Sequence, residues 1–286
     1  MGILKRILGP QSNPLCDKPD TFNAMARRLE FLKSGTNKRF WWHQMQGHDY
    51  LPPVYSFLDD LEWRIMESWF EDTEKNLYIG ECNVPMMSML QGLIMGSAID
   101  SIVECGHFAG YSTLLIGFML RKMGKQHGLF TIDINETISK YTQGWIDKAG
   151  LHDYVLVVEG DSMDPKMPDL ARKALSSEIK LVFIDSSHEY ANTLKELDLW
   201  YEAIASQGLV ILHDTSSVSA NLDPTEEGGV KRGFCEWIAK HSSASININE
   251  DPFPDGTPTI PVYKDVCGLG IIQKAGPPAI EAKNGA

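Results

Sequence analysis

Five acidic residues stand at or just past the ends of five short apolar segments in the second half of the sequence. They are Glu104, Asp133, Asp161, Asp185 and Asp214. Each segment has the length and composition of a buried β-strand, and ligands of open α/β sheets bind at the carboxyl ends of the strands. Turns favour aspartate, but an acid at every one of the five ends indicates more than turn chemistry. The sequence therefore predicts a polar binding cleft along one edge of a sheet.

Two of these acids end neighbouring predicted strands, the segments 181–185 and 209–213. Adjacent strands lie about 4.8 Å apart, so Asp185 and Asp214 are expected to face each other. Two carboxylates repel at this distance unless a cation or a proton lies between them. Mg²⁺ suits such a pair and activates a coordinated hydroxyl. The predicted third ligand is His213, Thr215 or water, and the alternative is an acid pair without metal.

His188 lies three residues after Asp185. An imidazole with an ordinary pKa near 6.5 is suited to removing a proton from a hydroxyl at neutral pH. We therefore predict His188 and Asp185 as catalytic residues. The alternative is a structural role, in which His188 caps the following helix or holds Asp185.

The first predicted strand runs into a loop with the pattern G-x-x-x-G, formed by Gly106 and Gly110. The first glycine permits a tight turn, and the second permits close approach of a ligand. Phe108 stands where a dinucleotide fingerprint needs its middle glycine, which disfavours a pyrophosphate. Asp133, 27 residues after Gly106, is placed to accept hydrogen bonds from ribose hydroxyls.

Asp161 and Ser162 follow the third predicted strand, where an adenine amino group would be recognised. Together with the glycine loop and Asp133 they predict a pocket for a nucleoside without a phosphate cradle. The residues expected to contact this cofactor are Glu104, Gly106, His107, Gly110, Tyr111, Ser112, Asp133, Asp161, Ser162 and Asp185.

Elements that position these residues follow from the hydrophobic pattern. From residue 100 the chain alternates short apolar strands (101–105, 129–133, 155–159, 181–185, 209–213) with amphipathic helices (111–123, 137–149, 189–206), and Gly124, Gly150 and Gly208 are expected as helix C-caps. This alternation predicts a parallel sheet covered on both faces. A further helix to about 241 and two late strands, 244–248 and 268–273, follow. The first third is predicted to be helical, with helices from Asp20 to Gly35, over 54–69 and from Asn83 to Gly96.

Composition limits the partners. The 286 residues carry a formal net charge of −12, which excludes nucleic acid and an anionic membrane surface as main electrostatic partners. Five widely spaced cysteines without C-x-x-C indicate a reducing compartment. We see no signal peptide and no apolar stretch of roughly 20 residues, so we expect a cytoplasmic protein.

Residues 79–273 resemble the class I S-adenosylmethionine-dependent methyltransferases. The run Glu104-x-Gly106-x-x-x-Gly110-x-Ser112-Thr113 matches the first motif of that family, Asp133 its ribose-binding acid and Asp161 its adenine-side residue. The sequence is most similar to small-molecule O-methyltransferases of the catechol and caffeoyl-coenzyme A type, and to the macrocin O-methyltransferase and cephalosporin-hydroxylase-like groups.

The resemblance implies S-adenosyl-L-methionine as cofactor, Mg²⁺ as metal and a Rossmann-like seven-stranded sheet in the order 3-2-1-4-5-7-6 with strand 7 antiparallel. It also places His188 where catechol-type enzymes carry a lysine base. At the fifth strand the chain departs from its relatives. Metal-dependent enzymes have Asp-Asn where this chain has Asp214-Thr215, and the cephalosporin-hydroxylase-like group has Glu-Asp-Thr, with His213 here in place of Glu.

We thus expect a helical cap over residues 1–95, a methyltransferase domain over 96–275 and a flexible tail over 276–286. The cap aromatics (Trp41, Trp42, His43, Tyr55, Trp63, Trp69) and the loop 249–264 are expected to surround the acceptor. For Trp63 and Trp69, whose spacing is helical, a position in the core or at a subunit interface is the favoured alternative. The predicted protein is a dimer that methylates a hydroxyl of a small molecule in natural product biosynthesis. The alternatives are a metal-independent enzyme using His188 alone, on an oxygen or nitrogen acceptor, a nicotinamide-dependent oxidoreductase, and a non-catalytic cofactor-binding subunit.

Overall fold

The computed structural model describes residues 21–34, 51–241, 244–248 and 267–276. The helices are α1 (Thr21–Ser34), α2 (Pro53–Ser56), α3 (Asp60–Lys75), α4 (Val84–Gly96), α5 (Tyr111–Met123), α6 (Glu136–Lys148), α7 (Met167–Leu175), α8 (Tyr190–Ala203) and α9 (Gly229–Lys240). The strands are β1 (Ile102–Cys105), β2 (Leu129–Asp133), β3 (Val155–Glu159), β4 (Ile179–Ile184), β5 (Ile204–His213), β6 (Ala244–Ile248) and β7 (Leu269–Gln273). The predicted acceptor residues Trp41, Trp42, His43 and 249–264 lie outside the described residues.

The seven strands form one sheet in the order β3-β2-β1-β4-β5-β7-β6, as expected. The first five strands are parallel, and β7 is antiparallel to both β5 and β6. The chain reverses its direction of travel across the sheet at the boundary between β1 and β4. At such a switch point the two outgoing loops diverge and leave a crevice, so the ligand site is expected beyond the ends of these strands.

Two apolar cores cover the two faces of the sheet. On one face α3, α4, α5 and α6 share a cluster, whereas α7, α8 and α9 fill the other. Because β1 is covered on both sides, all four of its residues are buried. Trp63 and Trp69 of α3 lie in the first core, 6% and 1% exposed, which confirms their interpretation as core residues. The N-terminal helices therefore pack directly on the helix that follows the glycine loop.

Two local expectations are wrong, and one helix was missed. The predicted helix over 54–69 is two helices, because the side chain of Asp59 accepts hydrogen bonds from the N–H groups of Leu61 and Glu62 and starts α3 anew. Helix α7 was not predicted. Gly208 does not cap α8, which ends at Ala203; it lies inside β5, where a Cβ would approach the carbonyl oxygen of Ala205 to 2.9 Å.

Gly124 and Gly150 do adopt the left-handed conformation expected at helix ends, with φ of 66° and 64°. Both late strands form, and the helix before them, α9, ends at Lys240. Within the described residues no helix is long and apolar enough to cross a membrane.

Candidate active site

A cavity of about 520 Å³ opens beyond the carboxyl ends of β1, β2, β3 and β4. Its walls include most of the residues predicted from the sequence, namely Gly106, His107, Tyr111, Ser112, Asp133, Asp161, Ser162, Asp185 and His188. The segment 79–82, which precedes α4, also contributes to the wall. The remaining predicted residues, Glu104, Gly110, His213, Asp214 and Thr215, lie behind or beside this surface, and the structure gives each of them a definite partner or position.

The glycine loop has its shape because no side chain fits at Gly106. Its φ is 88°, and a Cβ would lie 2.1 Å from the carbonyl oxygen of Asp185 at the end of β4. Phe108 also has a positive φ, 38°, and its N–H donates a 3.0 Å hydrogen bond to Asp133 Oδ2. The loop is thus hydrogen-bonded to the end of β2 and lies close against the backbone at the end of β4. Because a non-glycine residue rarely adopts such a conformation, these contacts have to offset local strain.

Helix α3 supports the same loop from outside. Trp69 Nε1 donates a 2.7 Å hydrogen bond to the carbonyl oxygen of Ala109, and the hydroxyls of Tyr55 and Tyr111 lie 2.7 Å apart. Tyr55 is fully buried, so it does not face an acceptor directly. These contacts couple the N-terminal helices to the floor of the cavity.

Beneath the loop runs a chain of buried polar groups. The hydroxyls of Thr113 and Thr131 donate to Glu104 Oε2, at 2.7 and 2.6 Å. Since the Thr131 proton is committed to Glu104, its oxygen accepts from Nδ1 of His107, 3.2 Å away, and Nε2 of His107 accepts from the hydroxyl of Ser139 at 3.0 Å. This fixes one neutral tautomer of His107.

Burial shifts the pKa values of the two ionisable groups in this hydrogen-bonded network, Glu104 and His107. It raises the pKa of Glu104 to about 7 and lowers the pKa of His107 to about 4. Glu104 is fully buried and His107 is 2% exposed. Glu104 therefore stabilises the glycine loop from below. His107 is part of the same hydrogen-bonded network and also lines the cavity.

Two acids mark the far wall of the cavity. Asp133 Oδ1 accepts from the N–H of Asn135 at 2.9 Å, and its other oxygen holds Phe108 as described. Asp161 Oδ1 accepts from the N–H of Met163 at 2.9 Å. Each carboxylate is half-buried and retains lone pairs that are free for a ligand in the cavity.

Sequence reasoning missed Glu196 on α8. The hydroxyl of Ser162 and the hydroxyl of Ser186 both donate to Glu196 Oε1, the latter at 2.6 Å. Glu196 is 1% exposed, and burial raises its pKa to about 6. The signal was present in the pattern, because Thr193, Glu196, Leu197 and Trp200 share the buried face of the helix.

Four side chains meet where β4 and β5 end. His188 Nε2 lies 3.0 Å from Asp214 Oδ2, and His213 Nδ1 lies 3.3 Å from Asp185 Oδ1 and 3.4 Å from Asp214 Oδ2. The expected proximity of Asp185 and Asp214 is thus present, but an imidazole bridges them. Asp214 has a φ of 63°, and strained residues of this kind concentrate at functional sites.

The charges of this cluster compensate one another. The hydrogen bond with Asp214 raises the pKa of His188 above its usual value. Burial would lower the pKa of His213, but the carboxylates of Asp214 and Asp185 raise it well above its usual value. The same two imidazoles hold the pKa of the buried Asp214 well below its usual range. Two acids and two bases therefore form a network close to neutrality.

Two overlapping groups here bring potential metal ligands within 4.8 Å of one another, Asp185–His188–Asp214 and His213–Asp214–Cys267. The hydroxyl of Thr215 donates instead to Asn247 Oδ1 at 2.9 Å. Mg²⁺ prefers an octahedral shell of oxygens, whereas imidazole and thiol belong with zinc and other transition metals. The donor chemistry of the cluster does not fit a magnesium ion.

Comparison with known proteins finds a matching domain model and a curated relative. A family model described as "Methyltransferase domain" matches residues 103–215. Catechol O-methyltransferase of Bos taurus is 29% identical over 168 residues, which are 58% of this chain and 57% of that protein, so the chain spans less than two thirds of this curated relative.

Solved structures share the fold. The O-methyltransferase from Bacillus cereus in complex with SAH has a TM-score of 0.58 at 18% identity, over 76% of this chain and 91% of its own. The O-methyltransferase TomG from Streptomyces achromogenes, in complex with SAM, has a TM-score of 0.56 at 19% identity, over 77% and 91%. The strand order and these similarities show the fold of the class I S-adenosylmethionine-dependent methyltransferases, and the methyltransferase-domain model matches the part of the chain from β1 to the end of β5.

Proposed function

We propose that this protein transfers the methyl group of S-adenosyl-L-methionine to a hydroxyl oxygen of a small molecule. The observation that carries the proposal is the pair His188 and Asp214. A partly exposed imidazole on the cavity wall is held by a buried carboxylate, at the end of the cavity opposite the acids that suit a nucleoside. The bovine relative is named for catechol methylation and TomG for tomaymycin synthesis, which supports a phenolic or other natural-product acceptor.

The cofactor's nucleoside is assigned to the wall formed by the glycine loop, Asp133 and Asp161. Asp133 retains acceptor capacity for ribose hydroxyls, and the loop after β3 supplies Asp161 and Ser162 for adenine. Asp185 lines the cavity at the reaction end, where its negative charge suits a sulfonium. The acidic edge therefore complements a cationic, nucleoside-bearing ligand.

The proton is assigned to Nδ1 of His188. Because Nε2 is committed to Asp214, Nδ1 is the nitrogen left to accept a proton from the substrate hydroxyl. The acceptor oxygen then forms a bond to the methyl carbon, and the carbon–sulfur bond breaks with its electron pair remaining on sulfur. The products are a methyl ether and S-adenosylhomocysteine, and Asp214 stabilises the imidazolium formed. Holding both reactants together supplies much of the acceleration.

The metal-independent route is favoured over the magnesium ion that the resemblance implies. The nitrogen of His213 lies between the two carboxylates, so a protonated imidazole supplies the positive charge that the acid pair needs. The magnesium ion at Asp185 and Asp214 that the resemblance implies is tested against this route by the metal content of the protein. The boundary near residue 95, the dimer and the cytoplasmic location stay predictions.

The test uses S-adenosylmethionine labelled on its methyl group and a panel of catechols, phenols, sugars and amines. We expect the label on an oxygen of at least one acceptor, with an equal amount of S-adenosylhomocysteine, and strongly reduced transfer by the His188→Gln variant. Transfer to nitrogen alone, or full activity of the variant, would contradict the proposal.

A further inference from the structure

The carboxylate of Glu196 joins two loops that the sheet keeps far apart. Ser162 follows β3 and Ser186 follows β4, and the strand order separates these strands by three positions, about 14 Å at the usual spacing. Nevertheless both hydroxyls donate to the same oxygen, Glu196 Oε1. The indole of Trp200, one turn further along α8, donates a 3.0 Å hydrogen bond to the carbonyl oxygen of Ser162. Helix α8 thus holds the loop after β3 close to the loop after β4.

The direction of these hydrogen bonds determines whether Ser162 and Ser186 offer a donor or an acceptor to a ligand in the cavity. A serine hydroxyl has one proton and two lone pairs, and an ionised carboxylate accepts only. Because Ser162 and Ser186 both give their proton to Glu196, each presents only acceptor capacity to a ligand. Both serines line the cavity, so its wall between β3 and β4 recognises hydrogen-bond donors.

A single group on the proposed cofactor matches two converging acceptors. The amino group at position 6 of adenine carries two N–H donors, whereas a 6-oxo purine places an acceptor at the same position. An acceptor facing two serine oxygens that cannot donate leaves buried polar groups unpaired, which is costly.

We propose that Glu196 is a specificity-determining positioning residue, which orients Ser162 and Ser186 as acceptors for the adenine amino group and thereby selects against 6-oxo purine nucleosides. The inference rests on the proposed S-adenosylmethionine site and names a determinant within it. Glu196 itself acts through the two serines. Its second oxygen, Oε2, is buried and has no hydrogen-bond partner among the described residues, so the carboxylate is held for its contacts through Oε1.

The test compares binding of S-adenosylhomocysteine and S-inosylhomocysteine, its 6-oxo analogue, by isothermal titration calorimetry. The Glu196→Gln variant can donate from its amide to both serines, which frees their protons to face the ligand. We expect the wild-type protein to prefer the adenine ligand by about tenfold or more, and the variant to reduce that preference by about tenfold. Asp198→Asn is the matched control on α8, because Asp198 accepts from Trp237 at 2.8 Å, and we expect it to keep the wild-type ratio.

The outcomes separate the inference from the proposed function. An unchanged ratio in Glu196→Gln, or equal weakening of both ligands, overturns the inference alone. If the wild-type protein binds neither ligand, the proposed function fails and the inference with it. Should Glu196→Gln not fold, Ser186→Ala replaces it. We then expect weaker binding of the adenine ligand and unchanged binding of the 6-oxo ligand, and unchanged binding of the adenine ligand overturns the inference.

Discussion

His188 Nε2 lies 3.0 Å from Asp214 Oδ2, and this contact joins a side chain on the cavity wall to one that is almost fully buried. The imidazole of His188 is 38% exposed and the carboxylate of Asp214 is 5% exposed. In the proposed mechanism this pair is a base and its orienting acid, because Asp214 holds Nε2 and leaves Nδ1 as the proton acceptor. Asp214 has a φ of 63°, in the left-handed region that few non-glycine residues adopt.

Replacing His188 by Gln removes the proton acceptor and keeps a polar side chain of similar size. We expect kcat to fall by about 10²- to 10⁴-fold, since general-base catalysis contributes on that order. Binding of S-adenosylhomocysteine, measured by calorimetry, is expected to stay within about threefold of wild type. His152→Gln is the matched control, because His152 is exposed and contacts only the neighbouring Asp153 in the described ion pairs. Equal losses in both variants would contradict the assignment.

The pH dependence of kcat/KM reports the same base. Asp214 raises the pKa of His188, and His188 accepts a proton only when neutral, so activity should rise with pH through a limb above 6.5. Asp214→Asn removes the carboxylate that raises this pKa, and the limb should move to lower pH while kcat falls. A limb that stays in place in the variant would show that another group titrates.

Metal content distinguishes the bridging imidazole from a magnesium site. We expect the purified protein to contain less than stoichiometric Mg²⁺ by mass spectrometry, and EDTA to leave the rate unchanged. His213→Glu is expected to gain calorimetric Mg²⁺ binding, because it places a third carboxylate beside Asp185 and Asp214. Stoichiometric Mg²⁺ in the wild-type protein, or loss of its activity in EDTA, would contradict the metal-independent route.

The sheet and the cavity at the carboxyl ends of its strands were predictable, because apolar strand segments and the acids that follow them are local features of the sequence. The break at Asp59 was not, since the spacing from Val54 to Trp69 continues as if one helix ran through. The competing effect is the Asp59 side chain, which takes over the N–H groups of Leu61 and Glu62. Helix α7 was missed because it is only nine residues long and contains Pro168, which a helix accepts in its first turn.

The residue types at the candidate site were predictable from the sequence, but the partners of these residues were less so. The acid pair and His188 follow from strand ends, whereas the bridging position of His213 depends on the geometry that the folded β5 gives it. Thr215 was expected among the possible metal ligands, but its partner Asn247 comes from β6, a strand distant in sequence. Such contacts arise from tertiary structure, which local spacing does not encode.

The pH dependence of protein stability tests the hydrogen-bonded network of Glu104 and His107 under the glycine loop. The pKa of His107 is about 4 in the folded protein and near 6.5 when unfolded, so its contribution to stability is present above 6.5 and is lost as the pH falls toward 4. This amounts to about 3 kcal/mol at most. Glu104, with a raised pKa, changes stability in the opposite direction between 4.5 and 7.

Because the two groups act in opposite directions, we compare how the free energy of unfolding changes with pH in the wild-type protein and in single variants. Denaturant unfolding of His107→Gln should show lower stability at pH 7 and a flatter decline between pH 6.5 and 4 than the wild-type protein. His152→Gln, at an exposed site, should keep the wild-type slope. A slope in His107→Gln equal to that of wild type would show that His107 is already protonated in the folded state.

Calorimetric titration of the cofactor into the wild-type protein and Asp133→Ala tests the central claim most directly. The account predicts one saturable site for S-adenosylhomocysteine in the wild-type protein, an affinity at least about tenfold weaker in the variant through loss of the ribose contact, and no binding of NADH. Saturable binding of NADH without binding of S-adenosylhomocysteine would contradict it.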